Sequence, residues 1–340
     1  MINKKIETIF IVSYYKDNFG DNLLKLYHLQ KLNNSNLNFL KNYITKNKTI
    51  NSKLNQSFKP KENIIFLNKK IKFTFIYNLL KSQKVYFIGG IFQDISSKKS
   101  FIYYYFILFA SIILNKEIYM FNCTFEIKNI FLKKLFLNLM NFASRKNLIK
   151  IIEVRDYVSL NLIKNIEVSK KLIKDPFDKR EKKNRRLKKY IILRKNFTKD
   201  NISYLKTNFI ENSAIFIFSI NKSYFNKKEN GINQNFLSEY FLFSLKKAGY
   251  DLLFIISDTK DFDFINKMLK NKKISIHLIK ISQKSLNSLK KILQNYQFKI
   301  LYTERLHCFL VLKNFIDLII IKGNKVENYI NTWYSNKILR

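Results

Sequence analysis

Short, continuous apolar runs recur along the whole chain, and each leads into a stretch with helical spacing. Runs such as 85–88, 318–321 and, but for Ser219, 214–220 are too short for core helices. They also lack the alternation of a strand with one wet face. Strands covered on both faces read this way, because a parallel sheet lies between the helices of its own crossovers. The pattern predicts strands at 8–15, 85–88, 117–121 and 149–154, then at 190–193, 214–220, 252–257, 274–279, 300–303 and 318–321. Helices are predicted from residue 22, over 101–114 and 129–142, from 157, and over 200–211, 233–248, 261–270 and 282–294, with a last one after Gly323. Gly249 suits a helix C-cap. Residues 33–61 are rich in Asn and Lys and read as loop with one helix at most.

Alternating strands and helices with short connections point to the α/β class. Right-handed crossovers make each half Rossmann-like. With 340 residues, 47% of them apolar, the chain has material for two cores. Asp175-Pro176 closes the first half, since a residue before proline is pushed out of helical geometry. The basic run 179–189 (KREKKNRRLKK) reads as a solvated linker. The expected domains are therefore 1–180 and 188–340.

The formal net charge of +39 invites a nucleic-acid partner. The Lys residues are dispersed, however, and Lys, Asn, Ile, Phe and Tyr share AT-rich codons, while Gly (6) and Pro (2) are scarce. Base composition thus accounts for much of the excess, and no nucleic-acid partner is expected. Peripheral contact with an anionic membrane surface is a separate option. The run 101–114 falls short of the ~18–20 residues of a spanning helix. It reads as a buried core helix, with an interfacial helix as the alternative. The N-terminal MINKKIETIFIVSYY runs into a strand without a signal-peptide pattern. Cys123 and Cys308 allow at most one bridge and show no metal spacing. A reducing, cytoplasmic setting is expected, or the stroma of an AT-rich plastid-type organelle, and no metal or cofactor is expected.

Several candidate residues fall where predicted strands end, the place where open α/β sheets bind ligands. Arg305-Leu306-His307 follows the strand at 300–303. An Arg and a His there can clamp an anion and move a proton, and the chain holds only three His. The competing reading pairs Arg305 with Glu304 or a helix end and makes His307 a core histidine. Arg194 ends the strand at 190–193. Gly89-Gly90 ends the strand at 85–88, letting backbone approach a ligand or a neighbouring strand, and Asp94 follows. Arg155-Asp156 ends the strand at 149–154, where a local salt bridge competes with ligand contact. In KDNFGD, Gly20 permits a tight bend and Asp21 suits a helix cap.

Taken in order, several stretches resemble one family, the polysaccharide pyruvyl transferases. They are YYKDNFGDNLL, FIGGIFQDISSKKSFIYYY, EVRDYVSLNLI, KDPF, ILR at 192–194, ERLHCFLVL and GNKVENYI. They span about residues 10 to 330. The resemblance implies transfer of pyruvate from phosphoenolpyruvate to a sugar of a glycan or its lipid-linked precursor, giving a pyruvate ketal. It also implies two Rossmann-like domains facing a cleft, as in glycosyltransferase-B enzymes, and a role in cell-wall polysaccharide biosynthesis. Two stretches depart from the family pattern. Ile91 follows only two glycines, and FNCTFEIKN at 121–129 stands where relatives carry Gly and Pro. Three explanations stay open: a rearranged loop, a different acceptor, or eroded activity.

The implied chemistry suits the residue types. Phosphoenolpyruvate presents a carboxylate and a phosphate, and Arg binds both with bidentate geometry. Arg194 and Arg305 are the expected clamp, with Leu306 in the matched motif. His307 is the expected general acid, since an imidazole titrates near neutrality. In that reading Asp17, Asn18, Asp21 and Asp94 contact the sugar acceptor, and Gly89 and Gly90 are expected among the substrate-binding residues. Two alternatives remain open. One is a glycosyltransferase using a nucleotide sugar, with Glu304 or Glu327 as its carboxylate. The other is a non-catalytic basic binding protein.

Overall fold

The computed structural model describes residues 9–13, 24, 27–28, 39–42, 62–66, 77, 79–94, 97–178, 189–192, 213–220, 239–257, 259–269, 276–280, 283–335 and 338–339. The chain is α/β and forms two compact units, one running to Asp175 and the other beginning at Pro176. Each is built on its own seven-stranded sheet. Every pairing between named strands is parallel, as in Rossmann-like folds. The linker stretch 179–188 and the helix expected over 200–211 lie outside the described residues.

The first unit runs β1 (Ile9–Ser13), β2 (Phe39–Asn42), β3 (Glu62–Phe66), β4 (Lys84–Ile88), α1 (Lys98–Ile113), β5 (Glu117–Cys123), α2 (Ile130–Arg145), β6 (Ile149–Val154), α3 (Tyr157–Leu162) and β7 (Lys170–Leu172). The sheet order is β2-β3-β1-β4-β5-β6-β7. β2 corrects the expectation of loop and helix over 33–61. Its residues Phe-Leu-Lys-Asn carry no strand pattern, and its order comes from pairing with β3 at the sheet edge. The core gathers Phe87, Phe92, Phe101, Phe125 and Phe136, with Phe92 and Phe136 ring centres 5.0 Å apart. Each such ring contributes about 1.5–3 kcal/mol by leaving water. α1 is half in this core, through Phe101, Tyr104, Ile107, Leu108 and Ile112. No described helix is long and apolar enough to cross a membrane.

The second unit runs β8 (Lys189–Ile192), β9 (Ala214–Ser219), α4 (Glu239–Lys247), β10 (Tyr250–Ile256), α5 (Thr259–Leu269), β11 (His277–Lys280), α6 (Gln283–Gln294), β12 (Phe298–Thr303), α7 (Leu306–Leu312), β13 (Leu318–Ile321), α8 (Asn324–Trp333) and β14 (Ile338–Leu339). The order is β11-β10-β9-β12-β13-β8-β14. β9 is buried along its whole length, in keeping with its sequence AIFIFS, apolar up to Ser219. Phe218 stacks on both Phe216 and Phe254, with centroids 4.7 Å apart in each pair. Gly249 ends α4 at φ +88°, a left-handed position that glycine adopts without Cβ strain, and its N–H donates to the Lys246 carbonyl at 2.9 Å. The helix closes as its sequence predicts.

Both sheets contain a point where the chain reverses its direction of growth. In the first unit β1 lies between β3 and β4. In the second, β9 lies between β10 and β12. Loops leave such a pair of strands in opposite directions and open a crevice beyond their carboxyl ends.

Candidate functional site

At the crevice of the second unit, β9 ends at Ser219 and β12 ends at Thr303, paired side by side. The turn Glu304-Arg305 then leads into α7. Two backbone hydrogen bonds and one to a side chain hold the turn in place. Glu304 N–H donates to the Ser219 carbonyl at 2.9 Å, and Lys322 N–H donates to the Thr303 carbonyl at 3.1 Å. The Thr303 hydroxyl accepts from Arg305 N–H at 3.1 Å. Residue identity at the strand end thus fixes where the arginine side chain leaves the backbone.

The Arg305 guanidinium reaches across the crevice. Its Nε donates to the Ile220 carbonyl at 3.5 Å, and one terminal nitrogen is hydrogen-bonded and ion-paired to Asp261 in the first turn of α5. The Asp261 side chain is 2% exposed and that of Arg305 is 15% exposed. Of the two partners in the competing sequence reading, Glu304 or a helix end, the ion pair with Asp261 in the first turn of α5 matches the helix end. Glu304 is buried and accepts from the Tyr302 hydroxyl at 2.9 Å. Burial first, and that carboxylate second, push the Tyr302 phenol well above its usual range. Glu327 accepts from Gly323 N–H at 3.0 Å at the start of α8. Both carboxylates considered for a nucleotide sugar thus hold internal hydrogen bonds.

His307 lies two residues beyond Arg305, in the first turn of α7, and is buried. Leu306 is buried too, so its side chain belongs to the packing of the second unit. Cys308 places its Sγ 3.0 Å from the Ser257 hydroxyl, at the end of β10. Burial pushes the Cys308 thiol up, which keeps it protonated and poorly nucleophilic. Lys322, just past β13, has its pKa lowered by desolvation, against the opposing pull of Glu304 and Glu327. The ends of β9, β10, β12 and β13 therefore bring together Arg305, His307, Asp261, Ser257, Glu304 and Lys322.

Arg194, the other expected clamp residue, lies outside the described residues, as do Asp17, Asn18 and Asp21. Gly89 and Gly90 sit at the end of β4. Gly89 has φ +82°, which glycine reaches at no steric cost, and its N–H donates to the Phe121 carbonyl at 3.0 Å. Of the two uses expected for these glycines, this contact is the approach to a neighbouring strand. Asp94 is buried, and its two oxygens accept from Lys128 N–H at 2.9 Å and Asn129 N–H at 2.7 Å. The carboxylate clasps the loop that leads into α2.

That loop is the FNCTFEIKN stretch, and the structure shows how it is held without Gly or Pro. Asn122 takes φ +53°, a left-handed position that Asn tolerates better than most residues. Glu126 N–H donates to the Phe92 carbonyl and Asp94 N–H to the Glu126 carbonyl, both at 3.2 Å. Asn129 caps α2 by accepting from Leu132 N–H at 3.0 Å. Arg155 resolves as a local pair. It bonds Asp175 at 2.9 Å and Thr124 at 3.0 Å, with side-chain exposures of 1% for Arg155 and 0% for Asp175. Asp156 caps α3 by accepting from Ser159 N–H at 2.8 Å.

Sequence reasoning named none of the acidic partners in these ion pairs. Asp261 opens α5 and reads locally as an acid favoured by the helix dipole; its ion pair spans 44 positions. Asp178 and Lys313 form a further buried pair at 2.7 Å, joined by the Tyr329 and Tyr334 hydroxyls. A lone Lys ending the apolar stretch LHCFLVLK was the available signal. Among the described residues no group of three or more His, Cys, Asp or Glu converges as a metal site. No protein-family model matches the chain, and no curated protein matches it.

Proposed function

We propose that the chain is a pyruvyl transferase that moves the pyruvyl group of phosphoenolpyruvate onto a sugar of a glycan or its lipid-linked precursor. One observation carries the reading: Arg305 and His307 stand two residues apart at the β9/β12 reversal point, beside the Asp261-anchored turn. In this reading Arg305, with Arg194, holds the carboxylate and phosphate of the donor through charge-assisted hydrogen bonds. His307 delivers a proton to the methylene carbon. A sugar hydroxyl bonds to the neighbouring carbon, and a second hydroxyl then displaces inorganic phosphate to close the ketal. The same reading includes a glycosyltransferase-B-like arrangement with the acceptor on the first unit, and a cytoplasmic setting.

The test is calorimetric titration with phosphoenolpyruvate at moderate salt. Wild type should bind. Arg305→Lys keeps the charge beside Asp261 but loses the planar fork, and should bind about tenfold or more weakly. His307→Gln should keep donor affinity while losing turnover. Wild-type protein that ignores phosphoenolpyruvate but binds a nucleotide sugar would sink the reaction assigned here.

A further inference from the structure

The outer face of α1 carries four apolar side chains at helical spacing: Ile102 (54% exposed), Phe106 (56%), Phe109 (43%) and Ile113 (60%). They form one stripe, since positions separated by three or four residues share a helix face. The inner face of the same helix is locked into the core through Phe101, Tyr104, Ile107, Leu108 and Ile112. α1 is therefore apolar on both sides but fixed in place, too short to span a bilayer and unable to leave the sheet. Lys98 and Lys99 flank the stripe at its start.

α2 extends this surface. The crossovers β4-α1-β5 and β5-α2-β6 step in the same direction across the sheet, so right-handed connections put both helices on one face, where they touch. α2 exposes Ile130, Phe131 and Phe142 together with Lys133, Lys134 and Arg145. Neither helix contains an Asp or Glu. A second copy of the chain would bring these bases against their own kind with no acid to answer them. An apolar stripe on helices whose charged residues are all basic matches an anionic lipid surface, which offers acyl chains beneath a negative headgroup layer.

We propose that the α1/α2 face of the first unit docks on an anionic membrane, with Ile102, Phe106, Phe109 and Ile113 entering the headgroup–acyl boundary and the flanking Lys residues meeting the lipid charge. The surface stands independently of the reaction proposed above. Because so basic a chain is drawn to any anionic vesicle, the test has to isolate the stripe. The full chain is floated with phosphatidylcholine vesicles containing about 30% phosphatidylglycerol, at about 0.3 M salt to weaken generic attraction. Wild type should co-float. The double variant Phe106→Ser/Phe109→Ser, which keeps every charge, should bind on the order of tenfold more weakly or worse. Phe109→Trp, an aromatic exchange on an exposed site, should show a blue-shifted emission component on adding the same vesicles. Equal flotation of wild type and double variant would overturn the proposal, as would an unshifted Phe109→Trp spectrum. So would a concentration-dependent dimer in lipid-free buffer that the double substitution dissolves, because a second copy would then be the occupant.

Discussion

The Arg305–Asp261 pair offers the sharpest way to separate a structural arginine from a ligand-binding one. Asp261 is almost fully buried, and Arg305 is slightly exposed. Two unit charges in contact near a protein surface interact by about 4 kcal/mol at an effective dielectric of about 20. Removing one member of a buried pair typically costs about 3–5 kcal/mol, because the other is left uncompensated. The residual exposure of Arg305 lets water screen part of this, so Arg305→Ala should cost about 2–4 kcal/mol. Urea unfolding followed by circular dichroism measures that cost, provided the second unit gives its own transition. Asp261→Asn leaves a neutral hydrogen-bonding group and should cost less. The double variant Arg305→Ala/Asp261→Ala should recover part of the Arg305→Ala loss, giving a clear coupling energy. Binding then separates the roles. If Arg305 serves an anionic donor, Asp261 competes with that donor for the guanidinium, so Asp261→Asn should hold or raise phosphoenolpyruvate affinity while lowering stability. Strictly additive stabilities would refute the pair as an energetic unit. Donor affinity that falls in Asp261→Asn as far as in Arg305→Lys would refute the competition.

Three further outcomes are expected. Arg155→Met strands the Asp175 carboxylate in the core and should cost about 3–5 kcal/mol at neutral pH; the loss should shrink as pH falls, because protonation relieves a buried unpaired carboxylate, and a pH-independent loss in urea titrations would count against the buried pair. Burial pushes the Cys123 thiol up to about 12, so the folded chain holds a proton that the unfolded chain releases above the thiol's ordinary 9.0. Stability should therefore fall between those values, and native protein at pH 8 should leave both Cys unreactive to an aromatic disulfide reagent until denaturant is added. Asp94→Ala removes the acceptor of two loop N–H groups and should cost about 1–3 kcal/mol, with faster amide exchange at Lys128 and Asn129; unchanged exchange there would disprove the clasp.

The strands buried on both faces were the plainest in the sequence, because β9, β10, β12 and β13 leave long apolar signatures. β2, β3, β7 and β14 escaped sequence reading. They are short and lie at or beside sheet edges, and Phe-Leu-Lys-Asn or Lys-Lys-Leu says nothing about a neighbour supplied from elsewhere in the chain. The place of Arg305 and His307 was legible because a strand ending in Thr303 before an apolar helix is a local pattern. Their surroundings were not. Ser257 and Asp261 reach the crevice from the β10–α5 connection and Lys322 from the β13–α8 connection, and only the strand order decides which connections meet.

In the second unit, β8 is the first strand in the chain but sits between β13 and β14, the last two. Asp178, near the start of that unit, is likewise held by Lys313, Tyr329 and Tyr334 from its final helices. A ribosome must therefore add everything from Ile192 to Leu318 before the opening strand can take its first neighbour, roughly 6–25 s at bacterial or eukaryotic elongation rates. β9, β10 and β11 neighbour one another and can assemble meanwhile, so the nascent unit grows from its middle outward. Its front end stays an unpaired apolar strand until almost the last residues emerge, and that interval is when a chaperone would matter most to this chain.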